Sequence, residues 1–407
     1  MFSFMRICFL AAWIGYPSSN GSAAFAPSCP HRHHRRGKSL AHSDASDDDG
    51  SAATTLDRKT FLATAAATLV TSSLGPALAA TVPSPLSAAD DALAPLHKKS
   101  TTPSDVLAVL RRTHTFAPYA TSGTAVVTGG NAGIGFETVQ ALARAGMSVI
   151  LCSRRVSAGR EAIGTLPEEL RPRVTVQRLD LSDMRSVRDA TDAITTRMRE
   201  SKGGIDVLVN NAGVIDKKGD VQLSAQGLEM PFAVNHVGHH MLTRDLLPSM
   251  NRGGRVVTVS SNAHGFADAE QAIVGRNGYS GSKLCNILFA KSLQDRLETG
   301  GRGDVKSVSL HPGVIATSLF DNTTGLWPLI GLLAADRTAE QGAATTSLCA
   351  LADNEVVRGG EFYRDCGVVT LTMEAAVDAR GELRQRLWMF TEDAITSNGF
   401  ALPATLA

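Results

Sequence analysis

This sequence predicts a doubly wound α/β domain: one seven-stranded parallel sheet with helices on both faces. Three observations carry that expectation. From about residue 122 strand-like and helical segments alternate, which calls for a parallel sheet covered on both sides. The first strand, Thr124 to Val127, passes through three spaced glycines, Gly129, Gly133 and Gly135, into the helical pattern FETVQALARAG. A later strand, RVVTVSS, delivers Ser260 and Ser261 at its carboxyl end, the edge where open parallel sheets bind ligands.

Composition sets the outer bounds. Among 407 residues, 40 Lys+Arg face 39 Asp+Glu, so no basic field attracts nucleic acid. The six cysteines (Cys8, Cys29, Cys152, Cys285, Cys349, Cys366) form no C-x-x-C pair, which argues against a zinc site or a disulfide framework. Isolated cysteines of this kind serve as small hydrophobes. The histidines His31, His33 and His34 are interrupted by arginines and make a poor metal cluster.

The chain before the domain reads as targeting sequence. Residues 1–24 carry one arginine, an apolar run and small residues at Ser22-Ala23-Ala24, the build of a secretory signal peptide and too short for a membrane span. The junction AAFAP resembles the import motif of algae whose plastids lie inside extra membranes, and HRHHRRGKSLAHS has transit-peptide character. Over 25–80 a plastid transit segment is therefore expected. Its last part, from Arg58-Lys59 to Ala77-Leu78-Ala79-Ala80, reads as a thylakoid-transfer signal, as plain linker or as a membrane anchor, the last poorly served by Gly75, Pro76 and many threonines and serines. Stroma and thylakoid lumen both stay open. Residues 81–121 are rich in Pro, Ser, Ala and charge and read as linker. Within them PSDVLAVLRRT, 103–113, has helical spacing after a Pro-Ser-Asp start. The domain is placed at 122–395 and a tail at 396–407.

Taken in order, the domain's motifs describe a dinucleotide site. Strand, glycine turn and helix make a dinucleotide-binding start. Gly129 allows the tight turn, Gly133 lets a pyrophosphate approach, and Gly135 lets the helix sit close to the sheet; Asn131 and Ile134 lie in the same turn. The second strand, MSVILCSRR, ends in Ser153, Arg154 and Arg155 with no acidic residue. A carboxylate there would bind the ribose of NAD, whereas Arg154 suits the 2′-phosphate of NADP. VTVQRLD ends in Asp180, and Asp180 with the following Leu181 is placed beside the adenine. IDVLVNNAG ends in Asn211, Ala212 and Gly213, where small residues leave room for a ribose. Asn235 stands near the start of a helical segment over 232–248. Tyr279 follows Ser261 by eighteen residues, and Lys283 follows Tyr279 by four. On a helix those two side chains share a face. A nearby ammonium lowers a phenol's pKa, so the pair can move a proton at working pH, while Ser261 would hold the substrate oxygen. The strand VKSVSLHPGVIAT ends in Pro312, Gly313, Val314 and Thr317, which can reach the nicotinamide carboxamide and the phosphates. His311 has no nucleophile or carboxylate partner in the sequence and reads as structural.

Together TGGNAGIG, NNAG, Asn235, Ser261, YSGSK and PGVIAT resemble the short-chain dehydrogenase/reductase family, over residues 122 to 395. The resemblance implies a Rossmann fold and a tetrad of Asn235, Ser261, Tyr279 and Lys283. Tyr279 would be the acid/base, Ser261 would orient the carbonyl, Lys283 would bind the nicotinamide ribose, and Asn235 would help hold a relay water. VNHVGHHMLT, GRVVTVSSNAH, YSGSKLCNILFAKSL and LHPGVIATSLF are similar to the retinol-dehydrogenase-like branch, which includes the WW-domain-containing oxidoreductase and a plastid-envelope member linked to protein import. The implied function is NADP(H)-dependent interconversion of a carbonyl and an alcohol on a hydrophobic small molecule. Two other functions stay open, an NADPH-binding interaction protein of plastid import and a protochlorophyllide-reductase-like enzyme. The interval from Ser261 to Tyr279 is shorter than the branch pattern, and SLFDNTTGLWPLIGLLAADRT is this chain's own. In it GLWPLIGLL, 325–333, reads as a lid touching substrate or membrane, or as core packing. A homo-oligomer is also left open.

Overall fold

β1 (Thr124–Thr128) takes a central place in the sheet because its apolar residues serve both faces. Val126 packs into one hydrophobic cluster, while Ala125 and Val127 pack into another on the opposite side. The same alternation runs through β4 (Ile205–Asn210), where Leu208 faces the first cluster and Val207 and Val209 the second. Burial on both faces explains why these strands are apolar without interruption. The computed structural model describes residues 93–215, 221–315 and 336–404, all within the compact unit Pro83–Ala407. The leader over 1–80, Thr317 and the stretch 325–333 lie outside the described residues.

The remaining strands are β2 (Ser148–Ser153), β3 (Val174–Arg178), β5 (Met250–Val259), β6 (Lys306–His311), β7 (Phe362–Arg364) and β8 (Gly367–Val368). Their order is β3-β2-β1-β4-β5-β6-β7-β8. The first seven pair in parallel, with Val126 aligned to Ile150 on one side and Leu208 on the other. The eighth goes beyond the seven expected and runs antiparallel to β7. Asp365 (φ 52°) and Cys366 (φ 59°) make a two-residue turn with both residues left-handed, which matches the twist of a tight hairpin. Two residues are too few for a hydrophobic alternation to show in the sequence.

Helices α1 (Pro103–Thr113), α2 (Gly133–Ala145), α3 (Val156–Thr165), α4 (Met184–Glu200), α5 (Gly238–Leu246), α6 (Gly278–Thr299), α7 (Ala339–Leu351) and α8 (Glu382–Thr396) flank the sheet. Residues of α4, α5, α6 and α8 build one cluster, and residues of α1, α2 and α7 the other. α1 occupies the span that its sequence pattern predicts and begins in a capping box between Thr102 and Asp105, a reciprocal pairing that satisfies two backbone donors. Residues 93–121, linker-like by composition, are packed structure. Leu93, Leu96, Val106 and Leu110 are buried, the Ala117 amide donates to Leu351 O at 2.8 Å, and Tyr119 Oη donates to Ala350 O at 3.0 Å. In the tail, Phe400 and Leu402 pack against the core, and Arg244 Nη2 donates to Pro403 O at 2.9 Å. No helix among the described residues is long and apolar enough to cross a membrane.

Candidate active site

Parallel pairing places the carboxyl ends of β1 to β6 on one edge, and the sequence-predicted residues gather there. Gly129 and Gly133 adopt φ of 63° and 54°, the left-handed region that glycine enters without strain. At Gly135 the constraint is space: a Cβ would lie 2.3 Å from Gly129 O and 2.5 Å from Asn211 Nδ2. Helix α2 starts at this turn behind Ala132, with no side-chain cap and no acidic residue in its first turn. Lack of a cap is shared with α3, α5, α6 and α8, whereas α1, α4 and α7 are capped by Thr102, Asp183 and Thr338. What sets α2 apart is the left-handed glycine turn that precedes it at a strand's carboxyl end. The uncapped amide donors at Gly133, Ile134 and Gly135 therefore fit a diphosphate. Ser153 Oγ donates to Arg155 O at 3.0 Å and lies 3.2 Å from Asn131 Oδ1, placing the turn against the end of β2. Arg154, next along, is exposed. Asp180 is held by Ser182, whose hydroxyl donates to its Oδ1 at 2.6 Å, and Leu181 is buried nearby.

The segment after β4 is fixed to the end of β1. The Asn211 and Ala212 amides both donate to Thr128 Oγ1 at 2.9 Å, and Asn211 Nδ2 donates to Thr128 O at 2.8 Å. A Cβ on Gly213 would stand 3.4 Å from Asn235 Oδ1 and 3.5 Å from Lys283 Nζ. Gly213 thus adjoins two of the expected tetrad. Asn235 lies in a π-helical turn, Ala233–Val237, closed by the Gly238 amide on Ala233 O and leading into α5. Both of its side-chain amide hydrogens are used, and its oxygen accepts once. Nδ2 donates to Val214 O and Ser282 Oγ, each at 2.9 Å, and Oδ1 accepts from the Val214 amide at 2.8 Å. That arrangement makes it a clamp between the segment after β4 and helix α6.

Tyr279 and Lys283 come from the first turns of α6, and their side chains meet as the four-residue spacing requires. Lys283 Nζ lies 5.5 Å from the centre of the Tyr279 ring and donates to Val259 O at 3.0 Å. Ser261 and Tyr279 are joined by a side-chain hydrogen bond. The charge effect expected from Lys283 does not dominate the phenol. Burial raises its pKa, and the Ser261 hydrogen bond acts the other way. Burial also lowers Lys283 to about 8, since an ammonium loses solvation among apolar neighbours. Pro312, Gly313 (φ 97°) and Val314 follow β6. The Val314 amide donates to Asp336 Oδ1 at 3.0 Å, and Lys99 Nζ reaches Asp336 Oδ2 at 2.7 Å.

Several residues here were not singled out from sequence. Thr128 is a strand-end threonine whose hydroxyl gathers two amides. Ser282 hides between Tyr279 and Lys283, and its hydroxyl donates to Tyr279 O at 2.7 Å. His239 is buried against Thr128 and Asn235; its only sequence signal is its place four residues after Asn235. His311 has a structural contact, accepting the Asn262 amide on Nδ1 at 3.3 Å.

Burial lowers His239 to about 4 and His311 to about 3. Unfolded, both would titrate near 6.5, so unfolding takes up protons below that value. Their contribution is complete above pH ~6.5 and is lost as pH falls towards 4 and 3, on the order of 3 kcal/mol for His239 and about 5 kcal/mol for His311. The thermal midpoint should fall steadily between pH 6.5 and 4.5. The Asp245 carboxyl, raised to about 6 by burial, works the other way in this window, so the rings are also followed by NMR. Either imidazole ionising near pH ~6.5 in the folded chain would show that it is not held uncharged.

The comparisons agree with the geometry. The family model described as short chain dehydrogenase matches residues 123–328. Human retinol dehydrogenase 11 is 33% identical over 276 residues, covering 65% of this chain and 82% of that protein. WW domain-containing oxidoreductase of Gallus gallus is 33% identical, covering 66% of this chain and 67% of that one. Short-chain dehydrogenase TIC 32 A, chloroplastic, of Brassica napus is 32% identical, covering 67% and 89% respectively. A crystal structure of an uncharacterized protein from Mycobacterium Paratuberculosis superposes with a TM-score of 0.55 at 29% identity, over 75% of this chain and 99% of that one. The chain belongs to the short-chain dehydrogenase family, on the branch of its retinol dehydrogenase and WW domain-containing oxidoreductase relatives.

Proposed function

We propose that this chain is an NADP(H)-dependent oxidoreductase that interconverts a carbonyl and an alcohol on a hydrophobic substrate, with Tyr279 as acid/base. The observation that carries the proposal is the convergence of Ser261, Tyr279 and Lys283 beside Gly213 at the carboxyl edge of the sheet. The nicotinamide, when bound, supplies or takes a hydride at the carbonyl carbon. The Ser261 hydroxyl orients the substrate oxygen, and Tyr279 gives that oxygen its proton in reduction or takes it in oxidation. Lys283, lowered to about 8 by burial, exchanges protons near neutral pH and would hold the nicotinamide ribose next to Gly213. Asn235 keeps Gly213 and α6 in register. A nucleotide-sensing interaction protein would need neither Tyr279 nor Lys283, so their convergence favours the enzyme over the import-associated alternative. An apolar substrate is supported by Val221, Leu223, Phe266 and Val314, large exposed hydrophobics in the segments that follow β4, β5 and β6, Phe266 closing a 3-10 turn over Asn262–Phe266. A plastid location rests on the AAFAP leader and on the chloroplastic relative.

The cofactor choice rests on exposed Arg154 at the end of β2, where no carboxylate stands. Purified protein should reduce apolar aldehydes with NADPH in preference to NADH. Arg154→Asp should weaken NADPH roughly 10- to 100-fold, the loss of charge-assisted hydrogen bonds to a phosphate, and should move the preference towards NADH. An unchanged NADPH/NADH ratio in that variant removes Arg154 from the 2′-phosphate site. A wild-type protein that turns over none of a broad aldehyde and ketone panel removes the enzyme proposal.

A further inference from the structure

His239 occupies a buried position that the proposed chemistry does not use. Its Nδ1 lies 3.0 Å from the backbone oxygen of Asn235, and its Nε2 lies 2.8 Å from Thr128 Oγ1. A carbonyl only accepts, so the proton sits on Nδ1 and Nε2 is left as an acceptor for the Thr128 hydroxyl. That choice fixes the direction of everything beyond it. With its hydrogen committed to His239, the Thr128 oxygen presents its lone pairs to the Asn211 and Ala212 amides. Thr128 immediately precedes Gly129. On the other side, the Asn235 amide grips Val214 and Ser282, and Ser282 immediately precedes Lys283.

We propose that His239 is a positioning residue: its imidazole joins the cofactor turn after β1 to the π-helical turn that carries Asn235, so that seating of the dinucleotide and placement of Lys283 are set together. The inference rests on the functional reading above. It requires an uncharged ring, and burial lowers His239 in that direction. The Thr128 hydroxyl has one other acceptor nearby, Val209 O at a longer 3.3 Å. Without the imidazole the hydroxyl would turn there, and the Asn235 carbonyl would lose a donor. No shorter route of hydrogen bonds among the described residues links Thr128 to Asn235.

The test compares His239→Leu, which removes both bonds, with His239→Gln, whose amide can donate to a carbonyl and accept from a hydroxyl. The full-length chain is used for NADPH fluorescence titration, steady-state reduction of decanal and thermal melting. In His239→Leu, kcat should fall about tenfold or more and NADPH affinity at least threefold, with the KM for decanal within twofold of wild type. His239→Gln should recover kcat to within about threefold. A folded His239→Leu with wild-type kcat and NADPH affinity overturns the proposal. So does a His239→Gln that melts like wild type yet is as impaired as the leucine variant. If His239→Leu does not fold, Thr128→Val combined with His239→Gln decides: strictly additive losses deny the link, and sub-additive losses support it. If the wild-type chain reduces no aldehyde, the functional reading fails by itself. NADPH affinity in the same variants then still judges His239, a loss restored by glutamine supporting it and an unchanged affinity refuting it.

Discussion

Replacing Tyr279 with phenylalanine is expected to lower carbonyl reduction by about 10²- to 10⁴-fold, the usual weight of a positioned general acid, while NADPH still binds. The substitution removes one oxygen and keeps the ring over which Lys283 sits at 5.5 Å. Burial raises the Tyr279 phenol, so the group that meets a bound carbonyl near neutral pH is protonated, the form that reduction needs. Oxidation needs the ionised form. The alcohol-oxidising direction should therefore gain rate as pH rises well past neutrality, and the Phe variant should lose that pH dependence along with its rate. Steady-state kinetics in both directions, beside an NADPH titration, check this. A Phe variant that retains rate within a few-fold would show that the proton comes from another group.

Gly135→Ala is expected to abolish useful NADPH binding and to cost stability, although the change is one methyl group. The added carbon would meet Gly129 O at 2.3 Å and Asn211 Nδ2 at 2.5 Å, and neither can retreat cheaply. Gly129 O is backbone in a left-handed turn, and Asn211 Nδ2 is committed to Thr128 O. Helix α2 must back away from the sheet, at roughly 1–3 kcal/mol for overpacking. For a unit as long as Pro83–Ala407 that is roughly 1.5–2 °C of thermal midpoint per kcal/mol. The displaced helix also withdraws its amide donors from the diphosphate. Gly164→Ala, in α3 with nothing within 4 Å of the new carbon, is the control. It should leave binding unchanged and hold or slightly raise the midpoint. Equal behaviour of the two variants, by calorimetry and fluorescence titration, would mean that the Gly135 contact does not set the turn.

Much of the architecture was legible because both faces of the sheet are covered. Strands buried on two sides become short apolar runs, and the turns between them must be polar or glycine-rich. That logic located β1 to β6, and helical spacing after a Pro-Ser-Asp start located the helix over 103–113. It could not locate β8, which is two residues long and held by the conformations of Asp365 and Cys366 rather than by a pattern. Nor could it show that the stretch around Leu93 to Ala120 packs against α7, since its Pro- and Ser-rich composition masks a few well-placed apolar residues. In the site, spacing announces Tyr279 and Lys283 because four residues along a helix define one face. Thr128, His239 and Ser282 carry no such announcement. Each acts through hydrogen bonds to segments distant in sequence, and an isolated threonine, histidine or serine says nothing of its partner.

The most direct test of the account is isotopic. With NADPH carrying deuterium at the transferring C4 position and an apolar aldehyde such as decanal, the wild-type protein should place the label on the carbinol carbon of the alcohol product, and the Tyr279→Phe variant should do so far more slowly. Alcohol formed without the label at that carbon, or label transfer at an undiminished rate in the Phe variant, would contradict a site in which Tyr279, Lys283 and the nicotinamide act together.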